Sequence, residues 1–229
     1  MALFVCLWYR VPQPSRWKLV LAANAVFCLS IDIGAFFVVA LATAVVWQAA
    51  QHAQPEQPSR RRWLALGLAA ALLPLLVLKY SGMLVPGLRD LYKPFGLAYY
   101  SLQLAGYLLD VWHGRTAPTP SYARLWCYAG FFLSLTQGPF NRYNTLMPQL
   151  EAAPKTFETQ RLVSGLQRSA WGYFKKFAIA DRAAIVVSAA FADPASFDRS
   201  QLIFATVMYS FQLYADFSGY TDIVLGMGE

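Results

Sequence analysis

The stretch YADFSGYTD, residues 214–222, sets two carboxylates, Asp216 and Asp222, beside Ser218, Tyr220 and Thr221 inside an apolar, aromatic run. A charged group in hydrocarbon costs about 2.5–3.5 kcal/mol on insertion scales, so such groups face protein or water. Gly219 permits either a close helix contact or a break in the helical ladder. The group therefore lines a polar substrate path or forms a buried hydrogen-bond network, and the two are compatible. A second stretch, GPFNRY (138–143), joins a helix-breaking Gly138-Pro139 to Arg142 and Tyr143. Irregular backbone at membrane depth persists only where protein buries it or where it lines a wet cavity. Arg142 can grip a phosphate or carboxylate bidentately, or pin its loop to a carboxylate such as Asp216 or Asp222. A third stretch, YFKKFAIADR, places Lys175 and Lys176 ahead of Asp181 and Arg182. It reads as a helix end held at lipid headgroups.

Other chemistries find little support. The chain has two histidines, His52 in a polar loop and His113 at a helix-to-loop junction, and neither stands in a nucleophile motif. Both read as interfacial or surface imidazoles. Cys6, Cys28 and Cys127 are scattered without metal-ligand or redox spacing and read as buried thiols. No metal site is expected.

Composition sets the class. The chain is 57% hydrophobic and 14% charged, against about 25% charged for a soluble domain. That is more apolar surface than one soluble core hides. An all-α, polytopic transmembrane protein is expected, with some re-entrant or interfacial helices. The net charge of +7 is not gathered into one patch along the chain, and nucleic acid is not an expected partner. Arg60-Arg61-Arg62 in the polar loop 51–62 makes that loop cytoplasmic by the positive-inside rule. The turn at Ser30–Asp32 is then outside.

The elements that must position the polar groups follow from hydropathy and breakers. Spans are expected over about Trp17–Leu29, about Gly34–Ala50 and Trp63–Tyr80, the last kinked at Pro74. A fourth helix, residues 95–114, carries Tyr99, Tyr100, Ser101, Gln103 and Tyr107, so it does not face lipid all round. A fifth is expected from Tyr122 to Leu135 and residues 144–160 are interfacial. An amphipathic helix has Arg161, Ser164, Gly165 and Arg168 on one side and Leu162, Leu166 and Ala170 on another. An apolar segment, 183–191, and a last helix from Gln201 follow.

Four segments in this order, FGLAYYSLQLAGYLLDVWHG, LTQGPFNRYNTLMPQL, WGYFKKFAIADR and YSFQLYADFSGYTDIVLGMG, resemble the membrane-bound O-acyltransferase family, in its alginate O-acetyltransferase-like branch. They cover residues 95–228, within what is expected to be a single membrane domain, 1–229, incomplete by comparison with the family. The resemblance implies a multi-helix enzyme of the bacterial cytoplasmic membrane. Such an enzyme moves an acyl group, here acetyl, from a cytoplasmic thioester such as acetyl-CoA toward hydroxyls of an extracytoplasmic polysaccharide. The expected partners are membrane lipid, the acyl donor, the polysaccharide and extracytoplasmic acetyltransferase proteins, and no bound cofactor is implied. By the same resemblance Gln137, Gly138, Pro139, Arg142, Tyr143, Asp216, Phe217, Ser218, Gly219, Tyr220 and Asp222 line or support the reaction chamber. The family's catalytic histidine is expected downstream of Glu229. No residue is therefore assigned that role, and this chain alone is expected to be inactive. The alternative is a non-catalytic transporter or scaffold on the same helical frame, although no internal repeat is visible.

Overall fold

The structure, a computed structural model, describes residues 7–12, 15–55, 57–84, 94–135, 141–152 and 158–228. Among these residues helices alone occur, without strands. The chain divides into two compact units, Met1–Phe157 and Glu158–Glu229.

The first unit contains α1 (Arg16–Ile31), α2 (Ile33–His52), α3 (Arg60–Leu75), a short α4 (Ser81–Leu84), α5 (Leu97–Trp112), α6 (Tyr122–Ala129) and α7 (Tyr143–Ala152). Asp32 separates the first two. Its backbone is extended, at φ −160° and ψ 104°, which ends one helix and starts the next. Its carboxylate accepts from the Ala35 N–H at 3.1 Å, capping α2, and from the Phe95 N–H at 3.1 Å, holding the approach to α5. Gly96, at φ +71°, starts α5, and a Cβ there would lie 2.7 Å from the Leu135 side chain. Glycine thus meets both the conformation and the space.

The core of this unit lies between α2, α3, α5 and α6. Val39, Val46, Tyr100, Leu104, Leu108 and Leu125 are fully buried. Gly67 lets α3 approach closely, since a Cβ there would sit 2.5 Å from Leu108 and 2.9 Å from Ala49. Pro74 lacks the N–H that α-helical bonding needs, and soon after it the chain widens into a π-helical segment, Leu76–Tyr80. The expected kink is taken up in this way. The expected burial of the fourth helix's polar face is also borne out: Tyr100, Ser101, Gln103 and Tyr107 are all buried.

Among the described residues, two helices are long and apolar enough to cross a membrane, Ile33–His52 and Arg60–Tyr80. α1 is shorter, at 16 residues. The fifth helix differs from expectation. It ends at Ala129, where Gly130 and then Phe131 draw the chain into a turn, so it stops well before Leu135. Gly138-Pro139, the expected breaker, lies outside the described residues.

The second unit contains α8 (Thr159–Phe174), a π-helical segment (Lys175–Ala180), α9 (Asp181–Ala192), a 3-10 turn (Pro194–Ser196) and α10 (Arg199–Gly228). Asp198 and Gln201 form a reciprocal capping box at the start of α10. The Gln201 N–H donates to the Asp198 carboxylate at 2.8 Å, and the Asp198 N–H donates to Gln201 Oε1 at 3.0 Å. α8 and α10 run antiparallel, with Gly165 against Gly226 and Gly172 against Gly219. The two sides expected of α8 are unequal in burial. Leu162 and Leu166 are exposed and Gly165 is buried, because the small residues, not the leucines, make the helix contact.

Candidate functional site

α10 carries Asp216, Ser218, Gly219, Tyr220 and Asp222 on one uninterrupted helix. Gly219 does not break it; it serves the close approach. A Cβ at Gly219 would lie 2.8 Å from the Gly172 carbonyl oxygen, and one at Gly172 would lie 2.5 Å from the Gly219 carbonyl oxygen. With no side chain on either glycine, the backbones touch and short side chains can meet across the seam.

The cations of the third stretch reach both aspartates. Lys175 Nζ is 2.6 Å from Asp222 Oδ2 and donates to Ser218 Oγ at 2.9 Å. Arg168 Nε lies 3.4 Å from the other Asp222 oxygen. Lys176 Nζ is 2.6 Å from Asp216 Oδ1 and 2.9 Å from Asp181 Oδ1. Three cations thus face three carboxylates, all within the second unit. The Lys175–Asp222 contact is the more enclosed, its side chains 19% and 20% exposed. The Lys176–Asp216 contact is looser, at 37% and 30%. Lys175 and Lys176 open the π-helical segment, which places two consecutive ammonium groups on carboxylates six residues apart.

This arrangement limits its own chemistry. A carboxylate engaged by ammonium and hydroxyl donors is held ionised and is a weak base toward an alcohol. No histidine belongs to this unit, since both lie in the first. The cluster can therefore position groups and neutralise charge, and it offers no free proton acceptor of its own. The third stretch, expected to be a helix end held at lipid headgroups, departs from that: its lysines follow the end of α8 and are paired with protein carboxylates instead.

Just before α10, Asp198 is held below the ordinary carboxylate range by the Gln201 N–H and then by the Ser200 hydroxyl. A cleft of about 330 Å³ lies beside that cap, lined by Val186, Ala190, Phe197, Phe204 and Ala205. It contains none of the residues the motifs single out.

In the first unit, Arg142 is exposed, and its carbonyl accepts from the N–H groups of Thr145 and Leu146 at 3.0 and 2.9 Å, starting α7. Tyr143 packs in a ring cluster, 5.2 Å from Tyr107 and 5.4 Å from Tyr128 between centroids. The Tyr107 hydroxyl accepts from the Thr119 N–H at 2.9 Å, and the Tyr128 hydroxyl donates to the Asn141 carbonyl at 2.8 Å. The side chains of Thr43, Tyr100, Ser101 and Trp126 bury polar atoms that find no protein partner among the described residues. Buried polar atoms of this kind are usually satisfied by water or a polar ligand. Gln137, Gly138 and Pro139 lie outside the described residues.

Sequence reasoning missed several organising residues. Asn24 is fully buried and ties α1 to the far end of α6, donating to the Cys127 carbonyl at 2.9 Å and accepting from the Phe132 N–H at 3.0 Å. Trp47 and Gln51 both donate to the Thr119 carbonyl. A polar side chain within an apolar span was the available signal for Asn24.

The fold and cluster define an all-helical frame with apolar outer faces and a charge-balanced seam. No protein-family model matches the chain. Among curated proteins it is 29% identical over 245 residues to the probable alginate O-acetylase AlgI of Azotobacter vinelandii, covering 99% of this chain and 48% of that protein. It is 29% identical over 239 residues to the protein of the same name in Pseudomonas fluorescens, covering 99% and 46%. It is also 27% identical over 212 residues to the peptidoglycan O-acetyltransferase of Helicobacter pylori, covering 77% and 40%. The chain spans about half the length of the curated relatives it matches. These names bear out the resemblance to O-acetyltransferases that the four motifs carry.

Proposed function

We propose that this chain is part of a multi-pass O-acyltransferase of the bacterial cytoplasmic membrane. It acts in moving acetyl from a cytoplasmic thioester, such as acetyl-CoA, toward hydroxyls of an extracytoplasmic polysaccharide. Extracytoplasmic acetyltransferase proteins are the partners that complete the transfer. The observation that carries the reading is similarity across 99% of the chain to proteins named for O-acetylation. The physical arrangement agrees with it. Ile185, Ile203 and Tyr214 of the second unit are 62%, 67% and 72% exposed, while the charges meet along the seam between helices. Apolar residues outside and ion pairs inside suit hydrocarbon surroundings. Orphaned hydroxyls in the first unit support a hydrated or ligand-bearing interior.

The residues divide the work. Lys175, Lys176 and Arg168 neutralise Asp216 and Asp222, and the seam fixes α8 on α10 beside the reaction chamber. Ser218 and Tyr220 supply polar support within the second unit, and Gln137, Gly138, Pro139, Arg142 and Tyr143 of the first unit are the other motif positions assigned to chamber support. The base that takes the hydroxyl proton lies outside the Lys–Asp cluster.

The test is a chimera in which this chain replaces the matching part of the Azotobacter vinelandii protein, in a host lacking its own alginate O-acetylase. Restored base-labile acetyl ester on the polysaccharide, abolished by Asp222→Ala, is the expected result. A chimera that inserts in the membrane yet forms no ester, while the intact relative does, would refute the proposal and favour a non-catalytic scaffold.

A further inference from the structure

We propose that one end of the first unit is a docking surface for anionic phospholipid headgroups. The inference rests on the membrane reading above. α1, α3 and α6 all begin at this end, and α2 and α5 finish there. Arg60 of α3 lies over the Trp112 ring at the end of α5, 3.8 Å from its centroid. Arg124 of α6 lies over the Trp17 ring of α1 at 5.6 Å. Trp47, near the end of α2, packs on Tyr122 of α6 at 6.4 Å.

The starts of these three helices are charged against the usual rule. A helix N-terminus carries partial positive charge and favours acids. Here the first turns hold Arg16 and Lys18, then Arg60, Arg61 and Arg62, then Arg124, and no acidic residue in any of them. Ser15 and Ser59, before α1 and α3, make no side-chain cap. At these three starts dipole and side chains therefore add with one sign, while α2 and α5 bring the opposite partial charge of their C-termini to the same end. Glu151 lies 3.3 Å from Arg124, and Arg16 is buried with its Nε donating to the Val11 carbonyl at 3.3 Å. Arg61 and Arg62 are exposed and have no partner among the described residues. At the opposite end the pattern is orthodox: Asp32 caps α2.

An anion is what this end lacks, and the interleaved Trp17, Trp63 and Trp112 place it at headgroup depth, where indole rings and cations gather. Lipid phosphate fits both features. A soluble phosphate would satisfy the charge alone.

The experiment compares thermal unfolding of the chain in nanodiscs of phosphatidylcholine alone and of phosphatidylcholine with phosphatidylglycerol. The anionic discs should raise the midpoint by several degrees, and high salt should shrink the gain. The Arg61→Gln/Arg62→Gln variant should lose most of that gain. In neutral discs it should unfold later than the parent, because repulsion with the helix end is relieved. A purely structural role for these arginines does not give that pair of opposite signs. Lys79→Gln, at the far end of the apolar segment, should keep the whole gain. An unchanged gain in the double variant, or no gain in anionic discs, would overturn the inference. So would inorganic pyrophosphate reproducing the gain in neutral discs, which would point to a soluble phosphate instead. A chain that enters neither disc, by protease protection, would overturn the membrane reading as well.

Discussion

Gly172→Ala and Gly106→Ala make the same chemical change in two helices and should move stability in opposite directions. Alanine in place of glycine favours a helix by about 0.5–1 kcal/mol where space allows. Gly106 of α5 has nothing within 4 Å of the site a Cβ would occupy, so Gly106→Ala should stabilise by about that amount. At Gly172 the new Cβ would meet the Gly219 carbonyl oxygen at 2.5 Å, the Ile223 N at 2.8 Å and the Ile223 side chain at 2.8 Å. Two of these are backbone atoms and cannot rotate away. α8 and α10 must separate, and overpacking of this kind costs about 1–3 kcal/mol. Set against the helix gain, a net loss of about 1–2 kcal/mol remains. The shift also lengthens Lys175–Asp222 and Lys176–Asp216. The assay is thermal unfolding of both variants in the same nanodisc, with cysteine pairs across the α8–α10 seam reporting separation. A Gly172→Ala chain that unfolds at or above the parent midpoint would refute the close-approach argument.

Three further outcomes follow from the same geometry. Lys175→Met strands Asp222 with only the longer Arg168 contact and should cost about 1–3 kcal/mol, while the Lys175→Met/Asp222→Leu pair should recover much of it; a double-mutant cycle in unfolding midpoints measures the coupling, and additive effects would contradict it. Asp32→Ala removes the acceptor for two backbone N–H groups and should cost about 1–2 kcal/mol, read as faster amide exchange at Ala35 and Phe95; unchanged exchange would contradict it. Because the Asp198 carboxyl sits below its ordinary value, the cap is fully present above the unfolded-state pKa and is lost as pH falls through the lowered folded value. The protection factor of the Gln201 amide, its exchange rate relative to that of an unstructured amide at the same pH, should therefore fall on acidification, and Asp198→Asn should remove that pH dependence.

Much of the helical frame was legible because its signals are local. Polar residues within apolar runs marked α5 and α10 as partly buried, and a loop fell close to where composition changes, although it is shorter than 51–62: Gln51 and His52 end α2 and Arg60–Arg62 begin α3. What was not legible depended on partners far along the chain. Lys175 reads as a headgroup anchor until Asp222, 47 residues on, is seen beside it. Asn24 reads as an oddity in a span until Cys127 and Phe132 arrive, more than 100 residues later. Which side of α8 packs was not legible, because hydrophobic periodicity names the apolar side while the contact is made by the glycines Gly165 and Gly172. The end of the fifth helix moved because Gly130 turns the chain before the stronger breakers downstream.

The π-helical segment at Lys175–Ala180 has a bearing on how the chain tolerates length change. A π turn holds one residue more than an α turn, so it can be shortened by one residue without leaving helical geometry. Because each residue of the wider turn covers a smaller angle, such a deletion would leave α9 in nearly the same phase against α10. A deletion in the α-helical part of α9 would instead rotate everything beyond it by about 100°. The segment is thus the place where this hairpin absorbs the loss of a codon.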